Sequence, residues 1–106
     1  MEQRWAQSCM YVRIISGSVK PGTIAEGVAI FEDSIGPATK EQPGFISTTL
    51  LVNESESKFT TISRWETEAD MQASLTGGFL QAQIAKIGPL LTGEPTYEQY
   101  ELVAEA

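Results

Sequence analysis

The stretch SRWETEAD, residues 63–70, marks the passage from a strand into a helix. The segment FTTISRW (59–65) is rich in β-branched and aromatic side chains, which predicts a strand that ends at Trp65. Thr67 and Asp70 have the spacing of a capping box, so a helix is predicted to open directly after Trp65. Trp65 is therefore either a core side chain at this joint or the wall of a pocket.

Two further strands are predicted before this joint. CMYVRIIS (9–16) has the β-branched and aromatic content of a strand, and Val19 is its furthest residue because a Lys-Pro-Gly turn follows. FISTTLLV (45–52) predicts the next strand. The polar segment NESESK (53–58) predicts a hairpin connection to the strand that ends at Trp65.

The segment between the first two strands predicts a helix. Thr23 and Glu26 have capping-box spacing, which places the helix start at Thr23. The apolar face that follows at helical spacing consists of Ile24, Val28, Phe31 and Ile35. Gly36-Pro37 is expected to kink or break this helix, with a last turn that runs to Glu41.

Downstream of the joint, a helix interrupted by Gly77-Gly78 is predicted. Met71 and Leu75 form the apolar face of its first piece. The apolar side of the second piece consists of Phe79, Leu80, Ile84, Ile87 and Leu91. TYEQYELV (96–103) alternates between polar and apolar residues and predicts the last strand.

The element order is therefore βαββαβ, which predicts an α+β fold of the ferredoxin-like sandwich type. Its crossovers place both helices on one face of an antiparallel sheet. The strand residues expected on the bare face include Ile46, Leu50 and Ile62. A bare apolar face favours packing against a second copy of the sheet, as a homodimer and a dimeric α+β barrel. The alternative is that polar residues on that face, Thr48, Thr60 and Arg64, make it tolerable in water.

Length and charge indicate one soluble domain, residues 9–106, after an N-terminal arm, residues 1–8. The 106 residues carry a net charge of −7 with scattered basic side chains, which disfavours nucleic-acid binding. The arm MEQRWAQS is too polar for a signal peptide, and no apolar run has membrane-spanning length. A cytoplasmic protein without membrane association is therefore expected.

The counts of histidine and cysteine also exclude several common kinds of catalytic and metal site. The chain has no histidine and one cysteine, Cys9, which is expected to be a small core hydrophobe. These counts exclude the common zinc sites, Ser-His-Asp and Cys-His catalysis, and a histidine haem ligand. No phosphate-binding loop, dinucleotide fingerprint or nucleophile elbow occurs. We therefore expect neither a metal nor a cofactor.

Four segments of the chain resemble the antibiotic biosynthesis monooxygenase family, of the dimeric α+β barrel superfamily. They are VKPG (19–22), PATKEQPGF (37–45), SRWETEADMQAS (63–74) and GGFLQAQIAKIGPLL (77–91). The resemblance spans residues 9–103 and rests on the order and spacing of these segments. It implies two ferredoxin-like protomers whose sheets face each other. It also implies a cavity between the sheet and the helices, with Trp65 on its wall.

The resemblance leaves the activity open, because members of the family differ. Some oxygenate aromatic polyketides or quinols without metal or flavin, and others degrade haem. The haem-degrading branch pairs its pocket tryptophan with an asparagine on the first strand and a histidine on the second helix. Ile15 stands at the asparagine position and a residue near Gln83 at the histidine position. Haem degradation is therefore not expected.

Cofactor-free oxygenation makes modest demands on the protein, because an electron-rich phenolate passes an electron to O₂ by itself. The protein must hold the substrate in a dry pocket and stabilise negative charge. Strand alternation places the candidate pocket residues Ser63 and Thr61 on the side of Trp65. The resemblance, aligned from VKPG, implies that Arg13 and Tyr11 of the first strand lie there too. Arg13 is predicted to stabilise an oxyanion and Tyr11 to donate a hydrogen bond to it. Trp65 is predicted to stack on the ring.

Two functions are consistent with these patterns. The first is a cofactor-independent monooxygenase acting on a small aromatic or quinone-like substrate. The alternative is a non-catalytic dimeric α+β barrel module that binds a small hydrophobic ligand. A cavity of ~300 Å³ or more with convergent polar groups favours ligand chemistry, whereas a filled core favours the module. The module interpretation makes Trp65 core packing, Tyr11 a core-edge residue and Arg13 the partner of a glutamate.

Overall fold

The structure is a computed structural model that describes residues 10–106. The predicted arm and Cys9 lie outside these residues. The described elements, in chain order, are β1 (Tyr11–Ser18), α1 (Ile24–Ile30), α2 (Gly36–Lys40), β2 (Phe45–Asn53), β3 (Lys58–Trp65), α3 (Glu68–Thr76), α4 (Phe79–Ile87) and β4 (Thr96–Glu101). A π-helical segment, Phe31–Ile35, joins α1 to α2. Short 3₁₀ turns, Glu54–Glu56 and Gly88–Leu90, follow β2 and α4.

The four strands form one antiparallel sheet in the order β2-β3-β1-β4. The helices lie on one face of this sheet, which we call the inner face; the opposite face is the outer face. The predicted ferredoxin-like α+β sandwich is confirmed. Among the residues that the structure describes, no helix has the length and hydropathy needed to cross a membrane.

The joint after Trp65 folds as its sequence predicts. The Thr67 hydroxyl accepts a hydrogen bond from the Asp70 backbone N–H at 3.0 Å and donates one to the Asp70 carboxylate at 2.9 Å. This cap satisfies an N–H group that has no partner within the helix, so α3 begins at Glu68. The predicted break also occurs, because α3 ends at Thr76 and Gly78 has a left-handed backbone with φ +87° before α4.

The first helical segment differs from the prediction at both ends. Thr23 does not cap α1; its hydroxyl donates to the Lys20 carbonyl at 2.6 Å, inside the preceding turn. Gly36-Pro37 does not break the helix, which continues to Lys40. The irregularity instead falls in the π-helical segment, where the Gly36 N–H donates to the carbonyl of Phe31, five residues back. The wider turn accommodates a proline that lacks an N–H and crowds the preceding turn.

A β-bulge near Ile46 corrects the predicted faces of β2. The register is Phe45↔Trp65 and then Ser47↔Arg64, so one extra residue of β2 lies between these two pairs. Because the side-chain period of a strand is two, this residue reverses the facing of every position after it. The prediction that Leu50 lies on the bare outer face was therefore wrong. Leu50 packs on the inner face with the core, and Leu51 is on the outer face.

The core lies between the inner face and the helices. Its buried apolar residues are Ile15, Val19, Ile24, Phe59, Leu80, Ile87 and Leu90. On the outer face, Val12 is buried, Ile14 and Ile62 are half-buried, and Leu51 and Tyr100 are exposed. The two faces therefore differ in burial, as expected for a sheet that a single layer of helices covers on one side.

Candidate functional site

A cavity with an enclosed volume of about 90 Å³ lies between the inner face and the helices. Its walls come from β1, β2 and β3 on one side and from α1, the π-helical segment and α4 on the other. Most of the lining side chains are apolar. Arg13 is the one ionisable residue among the described residues that line it.

The sheet side of the cavity is built from rows of cross-strand neighbours. Register pairs Arg13 with Ser63 and Ser63 with Thr48, which places three polar side chains in one row. The hydroxyls of Thr48 and Ser63 are 3.0 Å apart and hydrogen-bond to each other. The next row, about 7 Å further along the strands, contains Thr61 between Ile15 and Leu50. These rows give the cavity a polar strip on its floor.

The rows at either end of this strip are aromatic or apolar. Beyond Arg13, Trp65 lies between Tyr11 and Phe45 in the register. At the opposite end, Phe59 lies between Gly17 and Val52. A Cβ atom on Gly17 would lie 2.8 Å from the Phe59 ring, so the ring occupies the space of a missing side chain. The polar strip is thus bordered by apolar surface along the strands.

Arg13 is buried without a carboxylate partner among the described residues. Its exposed fraction is 2%, Nη1 donates to Ser74 Oγ at 3.0 Å, and Nη2 donates to the Met71 carbonyl at 2.5 Å. Both partners are neutral, and both belong to α3, which begins directly after the Trp65 joint. Burial lowers the pKa of the Arg13 guanidinium, an effect that the nearby Tyr97 partly opposes. The remaining donor, Nε, is buried and has no partner.

Trp65 is both tightly packed and part of the cavity wall. Its exposed fraction is 1%, and its ring makes an edge-on contact with Phe45 at a centroid distance of 5.6 Å. The Arg13 guanidinium carbon lies 5.8 Å from the Trp65 ring centroid, within the range of a cation–π contact. The indole N–H of Trp65 is nevertheless buried without an acceptor among the described residues. Packing and pocket-wall interpretations of Trp65 are therefore compatible.

A third buried polar atom without a partner belongs to Gln83 on α4. Gln83 lines the cavity, and its Oε1 accepts no hydrogen bond from any described residue. Buried polar atoms are nearly always hydrogen-bonded in folded proteins, and each exception needs an explanation. The three exceptions in the described part of the chain, Arg13 Nε, Trp65 Nε1 and Gln83 Oε1, all belong to residues that line this one cavity.

The structure brings most of the predicted pocket residues together. Trp65, Arg13, Ser63 and Thr61 line the cavity. Tyr11 lies beside Trp65 in the register but is not a lining residue. The roles predicted for these side chains in chemistry stay predictions.

Sequence reasoning missed Gln83, Thr48 and Ser74 as members of the site. Gln83 had a readable signal, because it lies three residues after Leu80 and four before Ile87, within the buried stripe of α4. Thr48 was assigned to the opposite face, because the bulge in β2 leaves no clear sequence signal. Ser74 has no signal of its own, since its contact with Arg13 joins residues 61 positions apart.

The comparison with family models decides the family. The model described as antibiotic biosynthesis monooxygenase matches residues 10–85. The chain belongs to this family. A search of curated protein sequences finds no match to this chain.

Solved structures share the fold of this family member. SnoaB, a cofactor-independent oxygenase from Streptomyces nogalater, is 17% identical with a TM-score of 0.75, covering 92% of this chain and 96% of that one. The monooxygenase ActVA-Orf6 of Streptomyces coelicolor, in complex with nanaomycin D, is 18% identical with a TM-score of 0.78, covering 93% and 92%. NE2512 of Nitrosomonas europaea, of unknown function, is 27% identical with a TM-score of 0.73, covering 93% and 94%. The two Streptomyces structures establish a shared fold.

The observed cavity meets one of the two criteria for ligand chemistry. Polar groups converge on it, but its 90 Å³ is below the ~300 Å³ that we set as favouring a ligand site. A single aromatic ring already needs a cavity of the order of 150 Å³. The cavity is partly open to the surface, so a bound ring need not lie wholly inside this volume.

Metal ligation has no visible basis in the described part of the chain. No group of three or more His, Cys, Asp or Glu side chains lies together among residues 10–106.

Proposed function

We propose that this protein is a cofactor-independent monooxygenase acting on a small aromatic or quinone-like substrate, bound in the inner cavity as a phenolate. The observation that carries the proposal is the buried charge of Arg13 beside Trp65, which has no carboxylate partner among the described residues. Family membership supports the reaction class. The likeness to SnoaB, a cofactor-independent oxygenase, adds to this support.

The electrostatics of Arg13 favour an anionic ligand. A buried charge is costly unless it is paired, and Arg13 contacts only a hydroxyl and a carbonyl oxygen among the described residues. An anion in the cavity would supply the missing countercharge and accept from the free Nε–H. Charge-assisted hydrogen bonds of this kind are about twice as strong as neutral ones. A phenolate oxygen is such an anion, and its ring suits a cavity with mostly apolar walls.

The reaction then requires only O₂ as oxidant. The phenolate gives one electron to O₂, and the resulting substrate radical and superoxide combine to form a carbon–oxygen bond. The hydroperoxide loses water, which breaks its O–O bond and leaves a carbonyl where the ring carried C–H. The overall change is phenol plus O₂ to quinone plus water. Negative charge moves from the substrate to the oxygen adduct, and Arg13 and the Trp65 N–H stabilise that charge.

In this proposal the phenol loses its proton without a protein side chain acting as a base. Arg13 is the one ionisable residue among the described residues that line the cavity. A nearby positive charge lowers the pKa of a bound phenol, because it favours the ionised form. The protein therefore contributes charge stabilisation and exclusion of water, and the substrate contributes its own reactivity.

Oxygen consumption tests the proposal. The protein is mixed with phenols, hydroquinones and anthrone-like substrates, and O₂ uptake and quinone formation are measured above the uncatalysed rate. The matched variants are Arg13→Met, on the inner face, and Arg64→Met, on the outer face. We expect turnover that Arg13→Met removes and Arg64→Met retains. Turnover that is unaffected by Arg13→Met would overturn the role of the cavity.

The alternative function is a non-catalytic module that binds a small hydrophobic ligand. The observation that favours it is the mostly apolar lining of the cavity, which suits a hydrophobic ligand without requiring a reaction. Ligand binding without any O₂ uptake or quinone formation would favour this module over the monooxygenase.

We also propose that the outer face packs against a second copy of the chain. Leu51 and Tyr100 are exposed on this face next to the half-buried Ile14 and Ile62. Apolar side chains exposed on a sheet face that no helix covers are more typical of an interface than of a monomer. Two-fold packing would place the two inner cavities on opposite sides of the dimer.

A further inference from the structure

Gln83 interrupts an otherwise apolar side of α4. Leu80 precedes it by one helical turn and Ile87 follows it by another, and both are buried core residues. Gln83 is itself 7% exposed and lines the cavity. A leucine or methionine at this position would pack in the same place without leaving a buried amide oxygen unpaired. The amide therefore has a stability cost that a structural role does not explain.

The polar groups of the cavity fall into those with a hydrogen-bond partner and those without one among the described residues. Thr48 and Ser63 hydrogen-bond to each other, and Thr39 donates to the Ile35 carbonyl at 2.7 Å. Buried atoms that remain without a described partner are two donors, on Arg13 and Trp65, and one acceptor, on Gln83. The two donors belong to neighbouring side chains, since the Arg13 guanidinium carbon lies 5.8 Å from the Trp65 ring centroid. The acceptor requires a separate hydrogen-bond donor on the ligand.

We propose that Gln83 makes the cavity selective for dihydroxylated aromatic rings. One ligand oxygen accepts from Arg13 Nε and Trp65 Nε1, while a second hydroxyl of the same ring donates to Gln83 Oε1. This inference rests on the proposed site in the inner cavity and adds to it a specificity-determining residue, Gln83. A ring with one hydroxyl leaves the amide oxygen unpaired in the complex, which costs affinity.

Ligand pairs that differ in one group test this selectivity. The three benzenediols are compared with the three corresponding cresols, in which a methyl group of similar size replaces the second hydroxyl. Binding is followed by fluorescence of Trp65 in a Trp5→Phe background, with calorimetry as a second readout. The test variant is Gln83→Met, a near-isosteric change. The matched control is Gln81→Met, which makes the same change at an exposed position of the same helix.

For at least one benzenediol, we expect the diol-to-cresol affinity ratio to fall about tenfold in Gln83→Met, and to stay constant in Gln81→Met. Tenfold corresponds to ~1.4 kcal/mol, within the range for one buried hydrogen bond. The isomer that responds reports the spacing between the two polar ends of the site. If Gln83→Met does not fold, Gln83→Leu is measured instead.

Three results would overturn the selectivity. One is a diol-to-cresol ratio that changes less than about twofold in Gln83→Met for all three isomers. Another is no measurable binding of any benzenediol to the wild-type chain. Quinones that bind as tightly as the diols, or more tightly, would show that the Gln83 amide donates a hydrogen bond rather than accepts one. That result would also overturn the proposed selectivity. Binding with the expected ratio but no O₂ uptake would reject the monooxygenase proposal and leave the role of Gln83 standing.

Discussion

Arg13 and Arg64 lie on the neighbouring strands β1 and β3 but on opposite faces of the sheet. Arg64 is partly exposed on the outer face, where Nη1 lies 3.2 Å from a carboxylate oxygen of Glu105. Arg13 is buried on the inner face, where its partners are a hydroxyl and a carbonyl oxygen. The arginine that water can solvate has a countercharge, and the arginine that water cannot reach has none among the described residues.

This difference is the reason that we propose a ligand-binding role for Arg13 and none for Arg64. A surface ion pair such as Arg64–Glu105 contributes about 0–1 kcal/mol and has no further consequence for its surroundings. A buried guanidinium with one unused donor raises the free energy of the empty site. A ligand that supplies an anion recovers that free energy on binding. The inner face therefore has a buried charged side chain under its helices, and the outer face has exposed apolar side chains that a partner could cover.

The two faces can first be tested with a pair of adjacent leucines. Leu51→Asp places a charge on the proposed interface, so we expect it to convert a dimer into a folded monomer. Leu50→Asp places the same charge under the helices, so we expect unfolding or a loss of several kcal/mol in the free energy of unfolding. Light scattering measures the oligomeric state, and thermal unfolding measures the fold.

The outcome that would contradict this assignment is a Leu51→Asp chain that dimerises as tightly as the wild type. A Leu50→Asp chain as stable as the wild type would contradict the register after the bulge. Because the two positions are adjacent, neither result can be attributed to local helix or strand propensity.

The second pair of variants is Arg13→Met and Arg64→Met. We expect Arg13→Met to weaken phenolate binding about 100-fold, since hydrogen bonds to a charged group contribute ~1.5–3 kcal/mol. Its stability should stay equal or rise, because an apolar side chain replaces an unpaired buried charge and Ser74 still donates to the Met71 carbonyl at 2.7 Å. Arg64→Met should change both quantities by little.

Calorimetric titration with phenols and chemical denaturation give the two quantities for each variant. A loss of about 3–5 kcal/mol of stability in Arg13→Met, without any loss of ligand affinity, would assign Arg13 to the core instead.

Trp65→Phe has the next largest expected effect. The change removes the unpaired indole N–H and part of the stacking surface, so we expect ligand affinity to fall about tenfold. It also removes buried area, which should lower the free energy of unfolding by about 1–3 kcal/mol. Calorimetric titration and denaturation separate the two effects. Unchanged affinity in a destabilised chain would leave Trp65 as core packing.

Sequence patterns predicted the fold well because its elements have local signals. The capping spacing of Thr67 and Asp70, the break at Gly77-Gly78 and the alternation of β3 each depend on neighbouring residues. The bulge near Ile46 has no such local signal, and one residue was enough to move Leu50 to the other face. The facing of a strand after a bulge depends on its partner strand, which the sequence does not show.

The candidate site was predicted in part for the same reason. Ser63 follows from strand alternation relative to Trp65, and Arg13 from the family resemblance aligned at VKPG. The lack of a countercharge at Arg13 could not be predicted, because it depends on which side chains of α3 reach β1. The unpaired oxygen of Gln83 depends likewise on the packing of α4. Partners that are distant in sequence determine whether a polar group is satisfied.

The smallest expected effect concerns a pair of tyrosines on opposite faces of β4. Tyr97 pairs in register with Ile15 on the inner-face side, and Tyr100 pairs with Val12 on the outer-face side. Partial burial raises the pKa of Tyr97 above 10.0, Glu94 raises it further, and Arg13 opposes the increase. A raised folded-state pKa means that the folded chain holds the phenolic proton more tightly than the unfolded chain does.

The sign of the pH dependence follows from that order of pKa values. The contribution of Tyr97 to stability is fully present below pH 10, the ordinary pKa of tyrosine, and is lost as the pH rises through the higher folded-state value. Tyr97→Phe should therefore lose less stability than the wild type above pH 10, with little difference at pH 7. Tyr100→Phe is the matched control and should keep the wild-type pH dependence. Urea denaturation between pH 7 and 11 measures this effect, which is small because Tyr97 is 45% exposed. Identical alkaline slopes for the wild type and Tyr97→Phe would show that Tyr97 is as free to ionise in the folded chain as in the unfolded one.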